Sequence, residues 1–363
     1  MTTSLAAIFH GSKQDLELRR IEIPQPMRGE ILVRVLGCTL CGSDLHTFSG
    51  KREVPVPTIL GHEIVGEVCE IGGPAVGGTA RDLTGRELRI GDRVVWSIVA
   101  SCGDCFYCLR GLPQKCLAAV KYGHEPLHPG RELTGGLAEY CLLAPGTAIV
   151  RLPDELPLSV ACPASCATAT ISAALAAAGD VRQRNICLFG LGLLGLTASA
   201  MLRARGAANI LCVDVNERRL TRAREFGATH VCTPNEVGAL AREVTEGHGF
   251  DSVLELSGSP SAFASGWDLV RRGGTLVLVG SVFPTPPVSI SPEQVVRRNM
   301  TIRGVHNYAP EDLLRAVEFL TNHHHDFPFA ELVSEWFLLE SVTQAFQRCR
   351  DSEHIRIGVH SQP

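Results

Sequence analysis

The sequence predicts an α/β protein in which a doubly wound parallel sheet is joined to a β-rich domain. From about residue 168 apolar strands alternate with amphipathic helices, the βαβ rhythm of a parallel sheet. Before about residue 155 the chain instead shows short β-rich runs punctuated by Gly and Pro. A third observation fixes the start of the parallel sheet: Gly190, Gly192 and Gly195 follow an apolar strand directly and open a helix. A chain of 363 residues with 45% hydrophobic and 20% charged residues suits two domains with real cores.

In chain order, the runs "EILVRVLG", "EIVGEVCEIG", "DRVVWSIV" and "LAEYCLLAPGTAIVRLP" supply the first strands. The parallel sheet follows as "NICLFG", the helix "LLGLTASAMLRARG", "NILCVDV", the helix "RRLTRAREFG" and "HVCTP". It continues through "FDSVLELSG", a helix near 260–272 and "GTLVLVGS". After about residue 306 a helix, "PEDLLRAVEFL", leads into a final segment expected to return to the first domain. The expected limits are therefore 1–160, 161–305 and 306–363. The histidine run 323–325 reads as a solvated turn.

A net charge of -4, with no basic stripe, gives no electrostatic reason to expect nucleic acid or an anionic membrane as partner. "MTTSLAAIFHGSKQ" lacks a basic region followed by a long apolar core, so a cytoplasmic location is expected. "ACPASCATATISAALAAAG", broken by Pro163, reads as a buried helix rather than a membrane span.

The chain has 14 cysteines, and Cys102, Cys105, Cys108 and Cys116 crowd one turn-rich segment. A reducing compartment disfavours disulfides there. Tetrahedral zinc needs four soft ligands on a chain that folds around one point; with every position filled by sulfur the site is closed and serves as a staple. Gly190, Gly192 and Gly195 permit a tight turn and close backbone approach, and the helix opened by Leu193 would meet a dinucleotide pyrophosphate. Asp214 ends the next strand; its carboxylate can take both ribose hydroxyls and would repel a 2′-phosphate, favouring NAD over NADP, a preference softened by Arg218 and Arg219. "CTLCGSDLH" and "GHEIVGEVCEIGG" add Cys41, Ser43, Asp44, His46, His62 and Glu63, among which Cys and His are ligands of open catalytic zinc.

With "CGSDLH", "GHEIVGEVCEIGGPA", "GDRV", the four-cysteine lobe and the glycine fingerprint together, the chain resembles the zinc-dependent medium-chain alcohol dehydrogenases over essentially its whole length. The resemblance implies a GroES-like catalytic domain carrying a structural zinc lobe at 102–116, a Rossmann NAD-binding domain, and one catalytic and one structural Zn2+ per chain. It implies that Cys41 and His62 ligate the catalytic zinc, that Asp44 orients the histidine, and that Glu63 stands beside the metal. Ser43 would take the substrate proton and His46 pass it toward solvent. For the third ligand the family pattern points to Cys166, four residues before Thr170, a position expected at the nicotinamide; Cys162, followed by Pro163, is the alternative, and Glu63 a replacement in some states.

Gly42 stands where some relatives carry an arginine for the pyrophosphate, and "GPAVGGTARDLTGRELRI" is longer than the family's usual connection and reads as an extended surface loop. The wording around the metal motifs also resembles a subgroup associated with phosphonate metabolism. That places Lys51, Arg52, Lys121 and His124 as candidates for holding an anionic alcohol or aldehyde. Polyol, amino-alcohol or sugar dehydrogenation is the alternative within the family, and a catalytically silent zinc-stabilised binding protein the alternative outside it. Relatives imply a homodimer or homotetramer.

Overall fold

The computed structural model describes residues 2–12, 14–73, 79–349 and 354–360. The chain forms two compact units: Met1–Ala169 with Ala309–His324 and Phe329–Pro363, and Thr170–Tyr308 with His325–Pro328. The first unit extends beyond the expected limit at 160, because the turn Cys162–Ser165 packs on the strands of that unit.

Along the first unit run β1 (Thr3–Phe9), β2 (Glu17–Glu22), β3 (Ile31–Thr39), β4 (Thr58–Ile59), β5 (Glu63–Ile71), β6 (Arg93–Ala100), β7 (Val120–Lys121), β8 (Tyr140–Leu143) and β9 (Thr147–Arg151). The second unit contains β10 (Asn185–Phe189), β11 (Asn209–Val213), β12 (His230–Cys232), β13 (Phe250–Glu255), β14 (Val270–Leu278) and β15 (Thr301–Gly304). The chain then supplies the first unit with helix Pro310–His323 and with β16 (Val333–Leu338) and β17 (Arg356–His360).

The first unit holds a sheet in the order β2-β1-β4 and a larger one following β16-β17-β3-β5-β6-β7, with β8 added to β3 and β9 to β6. Two registers matter for the site: Thr39 pairs with Glu63 across β3 and β5, and Gly358 pairs with Thr39 across β17 and β3. Trp96, Tyr122 and Phe346 are buried in the core of this unit. The Tyr122 hydroxyl lies 2.5 Å from Thr147 Oγ1 and accepts the Ala144 N–H at 2.9 Å, tying the arm after the cysteine lobe to the sheet.

The second unit is a six-stranded parallel sheet, order β12-β11-β10-β13-β14-β15. The order reverses beside β10, the topological switch point where doubly wound sheets bind ligands. Ile186 to Phe189 on β10 are all buried, as expected for a strand covered on both faces. Phe250, Phe263 and Trp267 pack within its core.

Two local expectations change and a third keeps its sense. Of the long connection after Gly72, residues 74–78 lie outside the described residues; the remainder is a docked turn rather than an extended loop. One Asp82 carboxylate oxygen accepts the Thr84 and Arg86 N–H groups and the Thr84 hydroxyl, and Leu88 is buried. In the histidine run, His324 is buried with Nδ1 2.9 Å from the Leu320 carbonyl, so the run is only partly solvated. The apolar segment around Pro163 is broken between Ser165 and Ala167, and among the described residues no single helix is long and apolar enough to cross a membrane.

Gly123 adopts φ 75°, and a Cβ there would sit 2.5 Å from the Gly61 carbonyl oxygen. Gly123→Ala should therefore cost about 1–3 kcal/mol of stability through overpacking and backbone strain. A urea denaturation midpoint equal to that of the parent protein would show that the turn can lift off Gly61 without penalty.

Candidate active site and metal centres

Helix Gly42–Phe48 begins at Cys41, and Asp44 closes its first turn by accepting the Cys41 N–H at 2.9 Å. The same carboxylate accepts the Gly61 N–H at 3.3 Å and lies 3.2 Å from His62 Nδ1. Asp44 is 1% exposed and His62 3%. With Nδ1 carrying the proton toward Asp44, Nε2 faces the cluster, where Ser43 Oγ lies 3.3 Å away. Burial alone would depress His62, but the Asp44 charge and hydrogen bond outweigh it and push the imidazole up to about 10. A metal ion at Nε2 would displace that proton.

Cys41, His62, Glu63 and Cys166 bring their ligand atoms within 4.8 Å of one another. Cys41 Sγ and Cys166 Sγ are 4.0 Å apart. Tetrahedral zinc with sulfur at about 2.3 Å requires sulfurs about 3.8 Å from each other, so this pair fits the ion. The bond with Cys166, the Arg356 guanidinium and His62 hold the Cys41 thiol well below its ordinary value, which suits a thiolate ligand. Cys162 is buried against Gly37 and stands outside the cluster.

Glu63, 0% exposed, is drawn aside by three donors. Thr39 Oγ1 donates at 2.6 Å, and Arg356 donates through Nε at 2.9 Å and Nη2 at 3.0 Å. Arg356 Nη2 also reaches Cys41 Sγ at 3.5 Å. Two thiols and one imidazole thus converge with a carboxylate that Thr39 and Arg356 already serve, a donor set that fits zinc with Glu63 or a substrate oxygen in the fourth position.

Sequence reasoning missed Arg356. Its signal was a single cation inside the apolar run "IRIGV", a pattern that requires a buried partner once the segment is read as an interior strand.

His46 follows Ser43 on the same helix and is half-buried; burial, then the Lys51 charge, lowers its pKa and keeps the ring neutral near pH 7. Of the proposed cationic residues, Lys51 is exposed, Arg52 and Lys121 are half-buried, and His124 is buried. The His124 ring centroid lies 5.3 Å from that of His62 and its Nδ1 is 2.9 Å from the Tyr122 carbonyl. Burial, followed by the charges of His62, Lys121 and Arg52, pushes its pKa well down. Burial and the lowered pKa favour the neutral ring at His124.

The four-cysteine lobe meets the same geometric test. Its sulfurs all lie within 4.8 Å, with separations of 3.4 Å for Cys102–Cys116, 3.5 Å for Cys105–Cys108, and 4.0 Å for both Cys105–Cys116 and Cys102–Cys108. These exceed a disulfide bond of about 2.05 Å and suit four sulfurs on one tetrahedral ion. Backbone N–H groups of Leu117 and Cys108 draw the Cys105 thiol down to about 6, favouring the thiolate that zinc requires.

In the second unit each fingerprint glycine has its own reason. Gly190 has φ 95° and a Cβ would sit 2.9 Å from Ser257; a Cβ on Gly195 would meet the Gly190 carbonyl oxygen at 2.1 Å. At Gly192 a Cβ would meet nothing within 4 Å, so the backbone there is open to an approaching ligand at the start of helix Leu193–Ala204. Asp214 accepts the Leu191 N–H at 2.7 Å and the Asn216 N–H at 2.9 Å, while Arg219 Nη1 lies 3.9 Å from it. Thr170 is half-buried in the first turn of helix Ala167–Ala178.

Two family models match the chain: the alcohol dehydrogenase GroES-like domain over residues 27–154 and the zinc-binding dehydrogenase over 194–322. An alcohol dehydrogenase of Geobacillus stearothermophilus is 32% identical over 86% of this chain and 88% of its own length. An L-threonine 3-dehydrogenase of Deinococcus deserti is 32% identical over 78% of each. The crystal structure of an alcohol dehydrogenase from Thermotoga maritima superposes with a TM-score of 0.92 at 28% identity, covering 99% of this chain and 100% of that one.

Two zinc ions per chain are expected. Cys105→Ser should remove one and lower thermal stability, because a closed site contributes folding free energy. Cys166→Ser should deplete the other with a smaller stability loss, whereas Cys162→Ser should retain both. Elemental analysis of the three variants checks this; retention of both ions in Cys166→Ser with loss in Cys162→Ser reverses the ligand assignment.

Proposed function

Since the chain belongs to the zinc-binding alcohol dehydrogenase family and is an oxidoreductase, we propose that it interconverts an alcohol and its aldehyde or ketone with NAD as the redox partner. The observation that carries this reading is the convergence of Cys41, His62 and Cys166 beside the Ser43 hydroxyl. In such a site zinc supplies Lewis acidity toward the reacting oxygen and NAD accepts the hydride.

The remaining work falls to the chain. Asp44 holds His62 in one tautomer and orientation. Arg356 and Thr39 keep Glu63 engaged, so that a substrate oxygen has room to enter. Ser43 takes the alcohol proton, and His46, neutral near pH 7 and one turn further along the helix, receives it. In the reverse direction the same pair returns the proton. Gly192 and the helix start at Leu193 receive the pyrophosphate, with Asp214 and Arg219 at the adenosine ribose and Thr170 at the nicotinamide.

A phosphonate-bearing substrate is the finer proposal, supported by the wording around the metal motifs and by Arg52 and Lys121. The similarity to L-threonine 3-dehydrogenases supports the amino-alcohol alternative. We further propose a dimer or tetramer, supported by β15, an exposed strand at the edge of its sheet. A reducing, cytoplasmic setting suits 14 free cysteines.

With two zinc ions bound, the protein should reduce NAD in the presence of at least one member of a panel of primary, secondary and amino alcohols, followed at 340 nm. Ser43→Ala should lower kcat/KM about 100-fold or more, the scale of a lost proton-transfer group. A fully metallated protein that reduces neither NAD nor NADP with any alcohol would instead support the silent binding protein.

Asp214→Gly should remove the ribose contact and the repulsion of a 2′-phosphate, moving the ratio of kcat/KM values from NAD toward NADP. A parent enzyme that already prefers NADP would show that Arg218 and Arg219 outweigh the carboxylate.

A further inference from the structure

Two segments outside the metal-ligand set are fastened to it from different sides. The backbone N–H groups of Lys51 and Arg52 both donate to the His46 carbonyl, at 2.9 and 3.1 Å, which fixes Arg52 at the end of the helix that carries Ser43. The turn 121–125 lies on the backbone next to His62, since Gly123 presses against the Gly61 carbonyl. The segments also join each other: Thr58 forms a bridge with Pro126, and its hydroxyl donates to the Glu125 carbonyl at 2.5 Å. Arg52 and Lys121 are thus held by backbone contacts in the surroundings of Cys41 and Cys166.

Both side chains are half-buried, and among the described residues neither has a carboxylate within ion-pair distance. The nearby acid, Glu125, turns Oε1 to the Lys121 backbone N–H at 2.7 Å, and its charge opposes the lowering of Lys121 without forming an ion pair with it. Burial, then the Arg52 charge, lowers Lys121 to about 8; burial likewise lowers Arg52, opposed by Asp44, Cys41 and Cys166. Two partly desolvated cations without a carboxylate partner carry a free-energy cost that a bound anion would relieve. Lys51 is exposed, and His124 is buried with Nδ1 2.9 Å from the Tyr122 carbonyl, so neither substitutes for this pair.

We infer that Arg52 and Lys121 form a subsite for an oxyanion on the substrate, a carboxylate, phosphate or phosphonate one short carbon chain away from the reacting hydroxyl or carbonyl. The inference rests on the proposed alcohol dehydrogenase reaction, and it adds what that reaction leaves open: which molecules are preferred. A planar guanidinium gives paired hydrogen bonds and an ammonium gives a point charge, so together they fix both the register and the charge of the bound group.

The test compares 2-hydroxyethylphosphonate and 3-hydroxypropanoate with butan-1-ol, in the parent protein and in Arg52→Gln and Lys121→Met. Zinc content is measured in each to verify folding. The anionic alcohols should be preferred, and each substitution should cut that preference by about 10- to 100-fold, chiefly through KM, as expected for one charge-assisted bond. Calorimetric titration with ethylphosphonate should show the same loss of affinity without turnover, and Arg52→Lys should restore part of it. Preference for the phosphonate assigns a dianion and preference for the carboxylate a monoanion. Turnover of butan-1-ol as fast as of the anions, with both substitutions affecting all three alike, overturns the subsite and leaves the dehydrogenase reaction standing. Binding of ethylphosphonate that depends on Arg52 and Lys121, in a protein that oxidises no alcohol, upholds the subsite and overturns the reaction.

Discussion

One buried carboxylate organises the catalytic half of this molecule. Asp44 receives the Cys41 N–H, the Gly61 N–H and the His62 ring, so a helix start, a tight turn and a candidate metal ligand share a single acceptor. A carboxylate almost wholly removed from water is tolerable only when its lone pairs are filled, and here three donors from two stretches of the chain fill them. Because the donors differ in kind, loss of the carboxylate would uncap the helix, release the turn and free the imidazole to rotate together. Ser43 and His46 ride on that helix, and the turn 121–125 rests on Gly61, so the proposed proton relay and the proposed anion subsite are both referred to the same few atoms.

Around this anchor, charge is arranged in concentric pairs. Arg356 compensates Glu63 and also leans on Cys41, so the guanidinium favours a thiolate while preventing the neighbouring carboxylate from standing unpaired. In the four-cysteine lobe backbone N–H groups instead reach Cys105 and Cys116. This contrast separates the two centres chemically. The lobe can close on an ion using local chain alone, whereas the cluster at Cys41 draws on β3, β5, the turn before helix Ala167–Ala178, and β17.

What the sequence made legible follows from how local each feature is. The lobe and the fingerprint glycines are short motifs whose spacing encodes their geometry, and the pairing of Cys41 with His62 came from the family resemblance. The alternation of strands and helices in the parallel sheet is equally readable, because each carries its own periodicity. Arg356 stood out only as a lone cation in the apolar run "IRIGV"; which group it pairs with was hidden, because Glu63 is 293 residues away. The choice between Cys162 and Cys166 was also hidden: the two lie in one segment, and only the turn Cys162–Ser165 directs one thiol toward Gly37 and the other toward Cys41. For Lys51, Arg52, Lys121 and His124 the residue types were visible, but their charge states depend on burial set by distant chain.

The pairing of β17 with β3 has a consequence for biosynthesis. A chain made from its amino end exposes Cys41, His62 and Glu63 long before Arg356 exists; at about 5–20 residues per second, the 293 residues between Glu63 and Arg356 take about 15 to 60 s to appear. During that interval Glu63 has no guanidinium to hold it and is available to the same ion as the thiols. The lobe at 102–116, by contrast, is complete as soon as its own few residues emerge. The two ions are therefore expected to be captured at different stages in the life of the chain, the stapling one during translation and the reactive one settling into its final coordination only after the ribosome has finished β17.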